Sequence, residues 1–299
     1  MDGEAAFPNS PGPAMDSSAS RTAPSVPELA DDLTVNQARG TWLLLRGLTR
    51  ERGHWGDFTE QWATALPPGS RVLTPDLAGN GTRWQDSSPA SVPGLLASLR
   101  ADLLSQGFSP PYRVIAMSLG AMVTVEWAHR HPHELQDAVL INTSLKPHSP
   151  MWHRLQPRWW PVIARLLIGR ASPAQWERTI RSMTTRHPPY AEATLAHWLR
   201  LREAHPVKPI NGLRQLWAAA RYRAPRSAPP VPVLLLNGEG DRLVHPSCST
   251  VLAERWGAPI VRHPTAGHDL PLDAGPWVRQ QVLHWLAQRQ TLHPPGPQA

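Results

Sequence analysis

Tyr112-Arg-Val-Ile-Ala-Met-Ser-Leu-Gly-Ala-Met-Val-Thr-Val-Glu126 decides the fold. An apolar, β-branched run stops at Ser118, and apolar residues then resume at helical spacing. A serine at so sharp a strand-to-helix turn is held with its Oγ exposed above the sheet. Small neighbours are then needed, here Ala116 and Gly120, with Leu119 supplying a backbone N–H. The pattern is G-x-S-x-G with alanine in place of its first glycine, and the residues that could act with Ser118 must be sought further along the chain.

The 299 residues can bury a substantial core, and one α/β domain with an insertion suits this length. The 34 prolines crowd the N-terminal segment, the junctions between elements and the last residues. Residues 1–36 are rich in Pro, Ser, Ala and Asp with few large apolar side chains, so a disordered leader is expected there. A flexible tail is expected over 291–299. The leader carries Asp2 and Glu4 and has no continuous apolar stretch, which argues against a secretory signal. No apolar run approaches a membrane span. The single cysteine, Cys248, excludes an intramolecular disulfide framework and cysteine metal clusters. A cytoplasmic protein without metal or cofactor is the expectation.

The net charge of +7 is uneven: residues 146–226 hold 13 arginines and two lysines against three glutamates, a balance of +12 that leaves −5 for the rest. No zinc-finger spacing, aromatic RNA-binding motif or basic heptad accompanies it, so nucleic acid is not the expected partner.

Short apolar runs alternate with helix-length periodic segments, the signature of a parallel sheet covered on both faces. Strands are predicted at 41–45, 72–74, 113–117, 138–142, 231–236 and 259–262. Helices are predicted near 55–65, 91–106, 119–131, 247–256 and 276–288. Between 146 and 226 this rhythm stops, and tryptophans and leucines spaced for several short amphipathic helices take over. Such a segment cannot extend the sheet, so it is expected as a helical lid over the sheet's carboxyl edge, where ligands of open α/β sheets bind. The core would then comprise 37–145 and 227–290.

Hydrolysis by a serine needs a base for its proton, an acid to orient that base, and N–H donors for the oxyanion. Asp241 follows the buried run Val231–Leu236 and a Gly-rich turn, and His268 follows a strand and loop ending in Gly267-His268-Asp269. The order Ser, Asp, His therefore places each candidate after a predicted strand.

At this point the chain resembles the α/β-hydrolase superfamily from about Gln37 to Gln288. Leu43-Leu-Leu-Arg-Gly-Leu-Thr49 is similar to its His-Gly oxyanion turn, and Pro75-Asp-Leu-Ala-Gly-Asn-Gly81 to its Asp-x-Pro-Gly-x-Gly turn. The stretches 238–244 and 266–269 match its acid and histidine motifs. The resemblance implies Ser118 as nucleophile, His268 as base, Asp241 as acid, and the backbone N–H groups of Leu48 and Leu119 as oxyanion donors. Arg46 stands where histidine is common. Among rivals, Glu239 is expected in solvent, Asp76 in a structural turn, Cys248 packed in a helix, and His54, His245, His263 and His284 on loops or solvated faces.

Serine in place of aspartate at the elbow disfavours dehalogenase and epoxide hydrolase chemistry. The expected activity is hydrolysis of carboxylic esters or thioesters through an acyl-enzyme. The lid and short loops are similar to those of small bacterial esterases of the pimeloyl-carrier-protein methyl ester type. Trp152, Arg154, Arg158 and Trp159 are candidate substrate contacts. The basic lid suggests an acidic acyl carrier protein, a coenzyme A thioester or a carboxylate substrate, unless its arginines only snorkel over tryptophans. A triad-based lyase with lid arginines as an anion clamp, and a non-catalytic ligand receptor, are the alternatives.

Overall fold

A computed structural model describes residues 38–168, 171–187 and 191–292. Six parallel strands, β1 (Thr41–Leu45), β2 (Arg71–Leu73), β3 (Tyr112–Met117), β4 (Leu135–Ile141), β5 (Val233–Gly238) and β6 (Ile260–His263), pair in the order β2-β1-β3-β4-β5-β6. Successive strand side chains point to opposite faces, so each strand feeds two cores. Leu43, Val114 and Leu235 face one, with α2 (Val92–Ser105), α3 (Leu119–Arg130) and α9 (Ser247–Trp256) over it. Leu44, Ile115 and Leu236 face the other, beneath α1 (Phe58–Thr64) and α10 (Leu270–Leu292).

All six predicted strands are present, with edges shifted by up to three residues. β5 starts at Val233 because Pro232 has no N–H for the ladder. The helix predicted from 55 begins as a 3-10 turn, Arg52–Trp55, which Gly56 at φ 52° ends before α1 starts. The helix predicted from 276 starts six residues earlier: α10 opens at Leu270, turns non-helical at Ala274 and resumes with Pro276 in its new first turn. It runs to Leu292, so the expected tail begins as helix, and residues 293–299 lie outside the described ones, as does the expected leader over 1–36.

Among the described residues five α-helices fall between β4 and β5: α4 (Met151–Arg154), α5 (Trp160–Leu167), α6 (Pro173–Thr184), α7 (Ala191–Ala204) and α8 (Pro209–Arg221). A parallel bridge between Lys146 and Arg223 closes the neck of this insertion. Its joint with the core is polar. The Gln215 carboxamide accepts from the Thr49 N–H at 2.8 Å and donates to Asn80 Oδ1 at 2.8 Å and Ser88 Oγ at 2.9 Å. Glu177 joins Arg50 and Arg202 at 2.6 Å each. Burial opposes ionisation of Glu177, but the two guanidinium groups outweigh it and hold its carboxyl below the usual range.

His54 does not sit on a solvated loop as expected but is buried in this joint. Arg50 Nη1 lies 2.9 Å from His54 Nε2, and the Glu51 N–H donates to Nδ1 at 3.1 Å, so donors face both ring nitrogens. Burial, with Arg50 and Arg46 beside it, holds the imidazole well below the ordinary histidine value. The folded state therefore binds fewer protons at His54 than the unfolded chain. The contribution is intact above the unfolded value of about 6.5 and falls with pH below it, by up to about 1.4 kcal/mol per pH unit. Thermal unfolding from pH 7 to pH 5 should fall more steeply for the native chain than for His54→Phe, and parallel curves would refute the assignment.

Candidate active site

Loops at the carboxyl ends of β1, β3, β4, β5 and β6 meet around one cavity of about 600 Å³, roofed by α4, α5, α6 and α8 of the insertion. Ser118 has φ 51° and ψ −114°, a conformation that L-residues avoid. Its N–H donates to the Ile141 carbonyl at 3.0 Å, and its own carbonyl accepts from Met122 N–H and Thr143 Oγ1, both at 3.2 Å. Gly120 lets α3 start this close to β1: a Cβ there would lie 2.7 Å from the carbonyl oxygens of Leu45 and Arg46.

His268 Nδ1 donates to Asp241 Oδ2 at 2.7 Å, a direction fixed because a carboxylate only accepts. Asp241 Oδ1 accepts from the Leu243 and Val244 N–H groups at 2.8 and 3.0 Å. Both oxygens are therefore occupied, and both residues are buried. His268 and Ser118 line the same cavity, although no hydrogen bond joins the Ser118 hydroxyl to His268 among the described residues. Such bonds are often formed only around a bound substrate. Leu48 and Leu119 line the cavity beside Ser118. No acceptor within the described residues takes the N–H of either one.

Three partners of this site were not read from the sequence. Asn142, at the end of β4 with φ 46°, donates through its amide to the Gly267 and His268 carbonyls at 3.0 and 2.8 Å. Its oxygen accepts from Asn237 Nδ2 and Gly238 N–H, both at 2.9 Å. One side chain thus ties β4, β5 and the histidine loop together. Asp273 accepts from the N–H groups of Gly267, Arg186 and His187 at 2.7, 2.8 and 3.2 Å, fastening that loop to the insertion. Arg46 forms a buried fork with Asp269: Nη1 to Oδ1 at 3.0 Å and Nη2 to Oδ2 at 2.6 Å. It joins the residue before Gly47 to the residue after His268.

Of the four candidate substrate contacts, only Arg154 lines the cavity. Its guanidinium is committed to the Ala219 and Ala220 carbonyls at 2.5 and 3.3 Å, in the last turn of α8, where a cation offsets the helix dipole. Trp159 donates its indole N–H to the Arg242 carbonyl at 2.6 Å, and Trp152 and Arg158 are exposed, so these three are corrected to positions outside the cavity. Its apolar lining comes instead from residues such as Met122, Leu155, Ile163, Ile180 and Leu216. Periodicity could mark these as inward-facing but not as cavity-facing. Glu239 is exposed, Asp76 holds a turn by accepting from Arg52 N–H and Thr82 N–H at 2.7 and 2.9 Å, and Cys248 is buried in α9.

Comparison with known proteins places these features in context. Residues 37–274 match the family model described as serine aminopeptidase, S33. The pimeloyl-[acyl-carrier protein] methyl ester esterase of Aromatoleum aromaticum is 29% identical over 227 residues, covering 72% of this chain and 88% of that protein. Among solved structures, a thermophilic esterase from Thermogutta terrifontis has a TM-score of 0.66 at 20% identity, over 83% of this chain and 89% of that one. The enol-lactonase from Burkholderia xenovorans reaches 0.68 at 18% identity, over 83% and 92%. These likenesses extend to the α/β-hydrolase fold.

Breaking a buried ion pair strands the remaining charge and costs roughly 3–5 kcal/mol, whereas removing both charges costs less. Arg46→Met and Asp269→Leu should each destabilise the protein on that scale in urea unfolding. The double variant should lose clearly less than the sum of the two, and additive losses would show that the fork is not coupled.

Proposed function

Since the chain belongs to the serine aminopeptidase S33 family and has the α/β-hydrolase fold, we propose that it hydrolyses carboxylic esters of apolar acyl chains, with Ser118 as nucleophile. The bond between His268 Nδ1 and Asp241 carries this reading. With that nitrogen protonated, Nε2 is left as the base for the Ser118 hydroxyl. As Ser118 Oγ adds to the ester carbonyl, Nε2 takes its proton and Asp241 offsets the imidazolium charge. The tetrahedral oxyanion is received by the N–H groups of Leu48 and Leu119. Collapse returns the proton to the departing alkoxide and leaves an acyl-enzyme, which water attacks through the same base.

The cavity supports an ester over a peptide with a free amino terminus. Its charged lining consists of Arg46, Arg50 and Arg154 beside His268, and its one carboxylate, Asp269, is taken by Arg46. A substrate ammonium would find no free anion there, whereas an acyl chain would find aliphatic and indole surface. A second reading keeps the chemistry but places the ester on an acyl chain borne by an acyl carrier protein. The likeness to the pimeloyl-[acyl-carrier protein] methyl ester esterase of Aromatoleum aromaticum and the +12 balance of the insertion favour it.

A series of neutral and anionic esters of graded chain length tests the reading. Ser118→Ala and His268→Ala should each lower turnover by roughly four to six orders of magnitude, and Asp241→Asn by about four, the losses not adding because the three act as a unit. A fluorophosphonate should label Ser118 in the native chain. Turnover retained in Ser118→Ala would overturn the assignment.

A further inference from the structure

Helix α8 is amphipathic in the reverse sense. It buries Asn211, Gly212, Gln215 and Ala218 while exposing Ile210, Leu213 and Trp217 at 50%, 44% and 56%. The polar residues are inside because they make the joint with the core: Asn211 accepts from the Ser88 N–H at 3.0 Å and donates to the Asp86 carbonyl at 2.8 Å, beside the Gln215 bonds. At 3.6 residues per turn, Ile210, Leu213, Arg214, Trp217 and Arg221 fall within an arc of about 100°. Arg221 lies over the Trp217 ring, 5.0 Å from its centroid. This outward stripe is apolar and cationic together.

The stripe is part of a larger face. α5 packs against α8 and exposes Trp160, while Met151, Trp152 and Ile168 are exposed nearby in the chain. Leu104 apart, every exposed large apolar side chain among the described residues belongs to this insertion. Met151, Trp160, Ile168 and Leu213 also line the cavity, so the face surrounds the route to Ser118. Helices α4, α5 and α8 contain no Asp or Glu, whereas Arg158 and Arg165 stand exposed on or beside α5.

We propose that this face docks on an anionic phospholipid surface and takes amphiphilic esters from it. The charge is complementary to such a surface, and tryptophan with arginine is the pair of side chains suited to the boundary between headgroups and acyl chains. Apolar contact continues from the rim of the face into the cavity, so an acyl chain can pass inward without crossing water. The docking is independent of the proposed chemistry at Ser118, whereas the uptake of esters rests on it.

The test uses the full chain and vesicles of phosphatidylcholine alone or with an equal part of phosphatidylglycerol. The protein should sediment with the anionic vesicles only and be released by salt, which shortens the Debye length from about 8 Å at physiological ionic strength to about 3 Å at 1 M. Each cation near such a surface is worth about fivefold in binding, so Arg221→Glu and Arg214→Glu should each weaken sedimentation about tenfold or more. Trp217→Ser should weaken it as well. All three variants should cleave a soluble short-chain ester at the native rate but lose turnover of a vesicle-borne ester, and Ser118→Ala should bind vesicles unchanged. Equal binding to both vesicle types, no binding to either, or undiminished binding of the variants would overturn the proposal. So would loss of a native dimer on Trp217→Ser, which would assign the face to self-association, or capture of an acidic carrier protein without vesicle binding.

Discussion

The backbone of Ser118 is the constraint from which the rest follows. A side chain in that conformation costs on the order of 1–3 kcal/mol unless the surroundings fix it. Here the Ile141 carbonyl holds the Ser118 N–H, and Thr143 holds the Ser118 carbonyl. Two glycines admit the neighbouring chain: Gly120 against the end of β1, and Gly47, where a Cβ would stand 3.1 Å from the Ser118 Cβ. Once β3 must end in this turn, β1 and β4 have to reach the same level on either side. The oxyanion turn and Asn142 are thereby brought to the same edge.

Long-range polar side chains then set the distances between loops. Asn142 holds the histidine loop to β5, the Arg46 fork holds it to β1, and Asp273 holds it to the insertion. Gly267 permits the last approach, since a Cβ there would come within 2.7 Å of the Thr184 carbonyl. His268 is therefore positioned by contacts from three directions as well as by Asp241. An apolar set of contacts could not do this, because dispersion is non-directional, whereas a bidentate fork fixes both separation and angle.

The sheet, its order of elements and the motif residues at its edge were legible because each is local. Ser118, Asp241 and His268 each follow a strand whose apolar run is visible in the sequence, and the Ser118–Gly120 spacing carries its own steric reason. What escaped reading depends on residues far apart. Arg46 and Asp269 are separated by 223 positions, so the arginine could be seen only as a departure from histidine. Asn142 escaped notice, although asparagine at a strand end is one of the few side chains that tolerates positive φ. His54 was assigned to solvent because histidine alone in a polar stretch gives no sign that Arg50, Glu51 and Trp198 enclose it. The insertion misled in another way: Trp152 and Trp159 were expected against the substrate, yet Trp152 and Trp217 point out, and the cavity lining from the insertion is aliphatic residues with Trp160 and Trp176.

That inversion has a physical origin in the joint itself. The loop after β1 leaves the Thr49 N–H and the Arg50 carbonyl without strand partners, and burial of such groups without hydrogen bonds is costly. Gln215 and Asn80 satisfy them, so α8 must turn its polar side inward. A helix whose polar positions are committed to the core has only its remaining positions to present outward, and in α8 these are isoleucine, leucine, tryptophan and arginine. The same bonds that seat the insertion beside the oxyanion turn therefore leave its outer surface apolar. Polar substitutions on that surface would break none of them, so the core does not require Ile210, Leu213 and Trp217 to be apolar. Whatever these side chains contribute, they contribute outside the fold.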